Sequence, residues 1–255
     1  MGPRVALAAV STDPLAPLAQ LPGVAEAADA ARDALGKAHR HRANLRGWPV
    51  TAAEASLRAA RASSVLDGGA LKLDEDSAAD PVFAGALRVT QALEGGETNL
   101  IGVWRRAPLQ ALARLHMLAA ADLVPEDALG RPRLEPEVSA RLDLLSRLVT
   151  GGSKVPAPIL AAVAHGEMLA LAPFGSADGV VARAVSRLVT IATGLDPHGL
   201  GVPEVFWMRR PGDYRSAAAD FASGTEQGLR DWILLSCRAM QDGAREALSI
   251  ADAKK

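Results

Sequence analysis

Residues 164–183 read A-H-G-E-M-L-A-L-A-P-F-G-S-A-D-G-V-V-A-R, and this stretch decides how the chain is read. An apolar helical run approaches, Pro173-Phe174 stops it, and a loop of small residues with two glycines opens a second helical run. A loop of this kind can aim backbone N–H groups at an anion bound at the start of the following helix. Between Pro173 and Gly179, however, there is no His, Cys, Lys or Arg. The frame of an anion-handling loop is present without its reactive side chains.

Working outward, the flanks are helical in pattern. Leu109, Leu112, Leu115, His116 and Leu118 place one apolar face on a helix over 108–121. Further helices are predicted over 24–45, 51–66, 81–93, 136–148, 159–171, 179–193, 215–222 and 225–247. Thr51 with Glu54 three residues later forms a capping-box pattern at the start of the second of these. Residues 3–22 read as an extended arm, 70–80 as an acidic loop, 123–134 as a Pro/Gly-rich surface loop, and V-P-E-V-F-W (202–207) as a short extended piece. The fold class is all-α or nearly so, with at most a short β-hairpin. One compact domain is expected, with an arm and helix over 1–48, further helices over 49–110 and a core over 110–250.

Composition agrees. Aromatic residues make up only 4% of the 255 residues and Ala and Leu dominate, which suits packed helices better than sheets. A net charge of -1 gives no electrostatic reason for nucleic acid or an anionic membrane. The basic cluster His39, Arg40, His41, Arg42 and Arg46 lacks interleaved aromatics and reads as a solvated helix end. The lone cysteine, Cys237, excludes an internal disulfide, and its neighbours mark a buried helix face. With no signal-like start and no apolar run of roughly 20 residues, a cytoplasmic location is expected.

With these residues in view, the stretch resembles the active-site motif of the Fic (Fido) family, H-P-F-x-D/E-G-N-G-R-x-x-R. The motif His falls on Ala172, Pro173 and Phe174 match, and Gly175 takes the free position. Ser176 stands at the acidic position, Ala177 at the first Gly, Asp178 at the Asn, and Val180 at the first Arg; Gly179 and Arg183 match. The likeness extends outward. L-A-R-L-H-M-L (112–118) resembles the family's leading core helix, residues 156–171 the helix that delivers the motif, and R-R-P-G-D-Y-R-S-A (209–217) the stretch after it. Ser63-Ser64-Val65-Leu66-Asp67-Gly68 is similar to the end of the family's inhibitory helix, S/T-x-x-x-E-G/N, here over 51–67 with Asp for Glu. The resemblance implies a Fic-like helical bundle, an inhibitory-type pair of Asp67 with Arg183, and self-association into a homodimer.

Most members of that family transfer AMP from ATP to a protein hydroxyl. Such transfer needs a base, a metal ligand and positive charge on the phosphoryl group. Ala172 cannot take a proton, Ser176 is a poor sole ligand for Mg²⁺, Val180 cannot clamp phosphate, and Asp178 adds a repelling charge. Gly175, Ser176, Ala177, Gly179 and Arg183 remain as a candidate anion or nucleotide loop. His165 and His116 read as core histidines, Glu167 as solvated or paired, and Trp207 and Tyr214 as packing residues. Arg183 reads as a partner of Asp67 or Glu54. No catalytic or metal-binding residue is expected, and ATP/Mg²⁺ enters only if the chain is an enzyme. Three functions stay open: a degenerate Fic-like protein acting by protein–protein binding, a divergent Fic enzyme transferring a nucleotide or phosphate group, and a nucleotide or small-molecule sensor.

Overall fold

A computed structural model describes residues 13–70, 80–94 and 99–253. The described residues form helices and turns with no strand, so the fold is all-α and the hairpin allowed above is absent from them. Eleven α-helices follow in order: α1 (Val24–His39), α2 (Arg42–Leu66), α3 (Pro81–Leu93), α4 (Asn99–Arg106), α5 (Pro108–Ala120), α6 (Pro136–Arg147), α7 (Ala157–Leu171), α8 (Asp178–Ala192), α9 (Pro203–Arg209), α10 (Pro211–Ala222) and α11 (Glu226–Ala253). Helices α7 and α8, the two halves of the stretch quoted first, lie against each other at the centre.

Helix α7 is buried because it is apolar on every side; Ile159, Ala161, Ala162, Ala164 and Met168 are fully enclosed. Burying Ile159 or Met168 contributes about 1.5–3 kcal/mol each. Gly166 lets α7 approach its neighbours: a side chain there would run into the Trp232 indole and the Phe221 ring. Trp232 Nε1 also donates to the Ala162 carbonyl at 2.7 Å, anchoring α11 to α7. Cys237 packs in the same core, and burial pushes its thiol up to about 12.

Several expectations are corrected. The predicted helix over 24–45 breaks at Arg40-His41, and a new helix begins at Arg42, where His41 Nδ1 accepts from the Ala43 N–H. Thr51 is therefore no N-cap; it lies inside α2. Its hydroxyl donates to Asn44 Oδ1 at 2.7 Å, while Asn44 Nδ2 donates to the Ala38 carbonyl at 2.8 Å. Thr51, through Asn44, instead braces the elbow between α1 and α2. Helix α2 contains Pro49, and the carbonyl that loses its donor belongs to exposed Leu45, where water can replace it. The boundary expected at residues 48–49 and the separate helix over 51–67 are thus both overridden by one continuous helix. Residues 202–207 are not extended: Pro203 sits in the first turn of α9, a position that suits proline. Helix α4 is one that the sequence pattern does not predict. In the arm, residues 16–20 form a 3₁₀ turn, and Asp13 accepts from the Lys154 N–H (2.6 Å) and Ser153 Oγ (3.0 Å). Residues 1–12, most of the acidic loop (71–79), Gly95-Gly96 and the Lys254-Lys255 tail lie outside the described residues.

The basic cluster is partly structural. His39 Nε2 lies 2.7 Å from Oδ1 of buried Asp196, which also accepts from the N–H groups of Leu200 (2.9 Å) and Gly201 (2.8 Å). Burial alone raises the Asp196 carboxyl, but the His39 hydrogen bond and charge, the Gly201 N–H and the Arg187 charge outweigh it, so its pKa lies below the ordinary value. The stability it contributes is complete above the unfolded carboxyl pKa of about 3.9 and is lost as pH falls through the lower folded value. Asp196→Asn is expected to cost about 1–3 kcal/mol at neutral pH and to flatten the acid limb of the stability profile, measured by urea unfolding across pH.

Candidate functional site

The loop between α7 and α8 is held in an unusual backbone form. Ala172, the C-cap of α7, has φ 41°, and Ala177, the N-cap of α8, has φ 50°. Gly175 between them has φ 71°. The left-handed region costs a residue with a side chain about 1–2 kcal/mol, so surrounding contacts must impose this shape.

Arg133 supplies one set of contacts. Its Nε donates to the Ala172 carbonyl (3.1 Å) and its Nη2 to the Leu171 carbonyl (2.8 Å), while its own N–H donates to the Pro173 carbonyl (2.7 Å). The last carbonyls of α7 are thereby satisfied by a cation, as a helix C-terminus favours. Arg133 lies in the stretch expected to be only a surface loop. Charge near a Pro/Gly segment was the one signal in the sequence, and it named no target.

His116 supplies another. It stacks on Phe174 with ring centroids 4.2 Å apart, and its Nδ1 accepts from the Gly130 N–H at 2.9 Å. An acceptor at Nδ1 leaves the neutral ring's proton on Nε2, which lies 3.0 Å from Ser176 Oγ and donates to it. Burial, opposed by the contact with Ser176, keeps the His116 pKa below its usual value. A serine nucleophile would need the reverse arrangement, with an acceptor at the nitrogen facing it. His116 therefore fixes Ser176 and does not activate it. His116, which the sequence marks as a core histidine, is buried and also reaches the loop.

Asp178 turns back into the loop. Its Oδ1 accepts from the Phe174 N–H at 2.9 Å. Burial raises its pKa, with the N–H groups of Phe174 and Gly175 and the charge of Arg133 pulling down and the charge of Asp67 pushing up. Val180 is only 3% exposed and lies in the core, beside a small cavity shared with Ser63, Val89 and Leu93. An arginine at this position would be buried close to the cations Arg183 and Arg187.

Behind the loop lies Arg183, 2% exposed. Its Nη2 is 2.9 Å from Asp67 Oδ1 and 3.0 Å from the Ser63 carbonyl, its Nε donates to Ser63 Oγ at 2.8 Å, and its Nη1 approaches Tyr214 Oη at 3.4 Å. Asp67 and Arg183 thus meet across 116 positions of sequence despite the shorter aspartate. Glu54 instead pairs with Arg58 at 2.8 Å. The Asp67 carboxylate rests against Gly179, in the space a side chain there would occupy. His165 Nε2 lies 2.8 Å from Tyr214 Oη, and its pKa is held well below the usual value by burial and by the Arg183 charge. Burial pushes the Tyr214 hydroxyl up to about 12. Glu167 is paired with Arg141 at 2.7 Å, and Trp207 and Tyr214 are buried packing residues.

ATP with Mg²⁺ fits these residues poorly. Ser176 is engaged by His116, Arg183 is committed to Asp67, Ser63 and Tyr214, and Asp178 holds the Phe174 N–H. No known family model matches the chain, and no curated protein matches it.

Two substitutions read this geometry directly. Ala177→Gly should raise stability by about 0.5–1 kcal/mol, because relief of the left-handed alanine exceeds the added unfolded-state freedom. Gly179→Ala drives a methyl into the Asp67 carboxylate and should cost about 1–3 kcal/mol. Urea unfolding measures both.

Proposed function

We propose that this chain is a Fic-like protein that keeps the loop as architecture, does not transfer AMP, and works by binding another protein. The observation that carries the reading is the engagement of the loop's polar side chains within the chain. Three of the groups that would engage a nucleotide are held by the chain's own side chains: the Phe174 N–H by Asp178, Ser176 by His116, and Arg183 by Asp67 and Ser63. A nucleotide would have to displace the pairing of buried Arg183 with the partly exposed Asp67 and the Asp178–Phe174 contact at once. No side chain in the loop is free to take a proton from a target hydroxyl, since Ala172 stands at the position that the resemblance gives to the base.

A role without turnover also accounts for the two strained alanines. A loop with no chemistry to perform and no surface to present would gain from glycine at 172 and 177. The shape is maintained by Arg133, His116 and Asp178 together, which points to a surface whose form matters. Homodimer formation, which the resemblance implies, belongs to the same reading.

The test is direct. The protein is incubated with labelled ATP, Mg²⁺ and a cell lysate, alongside Arg183→Ala. Wild type should transfer no more label than buffer. Label incorporation by wild type that disappears in Arg183→Ala contradicts the reading.

A further inference from the structure

Beside the Asp67–Arg183 pair a cleft of about 390 Å³ opens to solvent. It lies among the end of α2, the last turn of α7, the start of α8 and one face of α10. Its walls are apolar: Leu66 and Leu169 on one side, Ala218, Ala219 and Ala222 on the other. Alanines on α10 are what leave the space; Ala219 and Ala222 are exposed.

The polar groups at the cleft are unequal. Arg183 faces it but is committed to Asp67 and Ser63 and nearly inaccessible. Asp67 has spent one oxygen on Arg183, and its side chain is 23% exposed, so the second oxygen can still accept a hydrogen bond. Arg215 lines the cleft, is exposed, and makes no hydrogen bond or ion pair among the described residues. The uncommitted features are therefore one cation, one acceptor and an apolar wall, within a space suited to a single residue.

We infer that this cleft receives the C-terminal residue of a partner protein, with an apolar side chain. The terminal carboxylate meets Arg215, where a guanidinium offers paired donors. The backbone N–H of the same residue donates to the free oxygen of Asp67. The side chain fills the space between Leu169 and the α10 alanines. A nucleotide is matched badly by the same cleft, because a single accessible cation faces several phosphate charges. The inference rests on the protein-binding reading above and names the chemistry of the partner.

Four probes test it on the full chain by calorimetry: N-acetyl-L-leucine, N-acetyl-L-leucinamide, a hexapeptide ending in a free-carboxyl leucine, and ADP. The acid should bind at least about tenfold more tightly than the amide, since the amide loses a charge-assisted contact. The hexapeptide should bind at least as well as N-acetyl-leucine. Arg215→Gln should erase the difference between acid and amide. Ala219→Leu, on an exposed position, should fill the cleft and weaken the acid about tenfold or more, with circular dichroism confirming an unchanged fold. Equal binding of acid and amide, no binding of the acid at millimolar concentration, or exclusion of the hexapeptide overturns the inference. Arg183-dependent binding of ADP would instead contradict the nucleotide-free reading of the loop, leaving the acid-versus-amide comparison to judge the cleft.

Discussion

A buried guanidinium organises the centre of this molecule. Arg183 sits on the innermost helix pair, and an uncompensated charge at that depth would cost several kcal/mol. The surroundings are arranged to avoid this. Ser63 gives a hydroxyl and a carbonyl, Asp67 a carboxylate, and Tyr214 a phenolic oxygen. Burial alone disfavours the charge, but Tyr214 and Asp67 outweigh it, and the pKa of Arg183 is raised. These partners come from α2 and α10, so satisfying one side chain fixes where two distant helices end or begin. Arg187, one turn further along α8, repeats the device: it meets Glu204 at 3.2 Å and the carbonyls of Gly199 and Gly201, and so places α9.

The loop before α8 inherits its shape from this arrangement. With Asp67 seated over Gly179, the first turn of α8 has no room for a side chain there, and Asp178 folds back onto Phe174. Arg133 and His116 hold the other end. The result is a turn whose polar side chains are tied down from within the chain, at the expense of two alanines in the left-handed region.

Much of this was legible in the sequence, and the failures have physical causes. The two central helices were readable because an apolar run, a Pro-Phe stop and a small-residue loop each have a local cause. The Asp67–Arg183 contact was suggested only through family resemblance, since no local pattern links residues so far apart. The elbow at Arg40-His41 was missed because Ala-rich sequence has high helix propensity and the break is made by tertiary contacts: His39 to Asp196, and Asn44 to Ala38. Thr51 and Glu54 mimic a capping box, yet helix α2 runs through Pro49 because its orphaned carbonyl faces solvent. Residues 202–207 looked extended from Val, Phe and Trp, but Pro203 and the buried pairing of Glu204 with Arg187 favoured a helix. Arg133 was unreadable as a loop clamp because its partners are backbone carbonyls, which carry no sequence signature.

Buried Arg183 and the partly exposed Asp67 act as one coupled unit behind the loop. A double-mutant cycle with Asp67→Asn, Arg183→Gln and the double variant, followed by urea unfolding, measures that unit most directly. The account predicts a coupling energy of about 1.5–3 kcal/mol, with the double variant no less stable than Arg183→Gln alone. Additive effects within about 0.5 kcal/mol would contradict it.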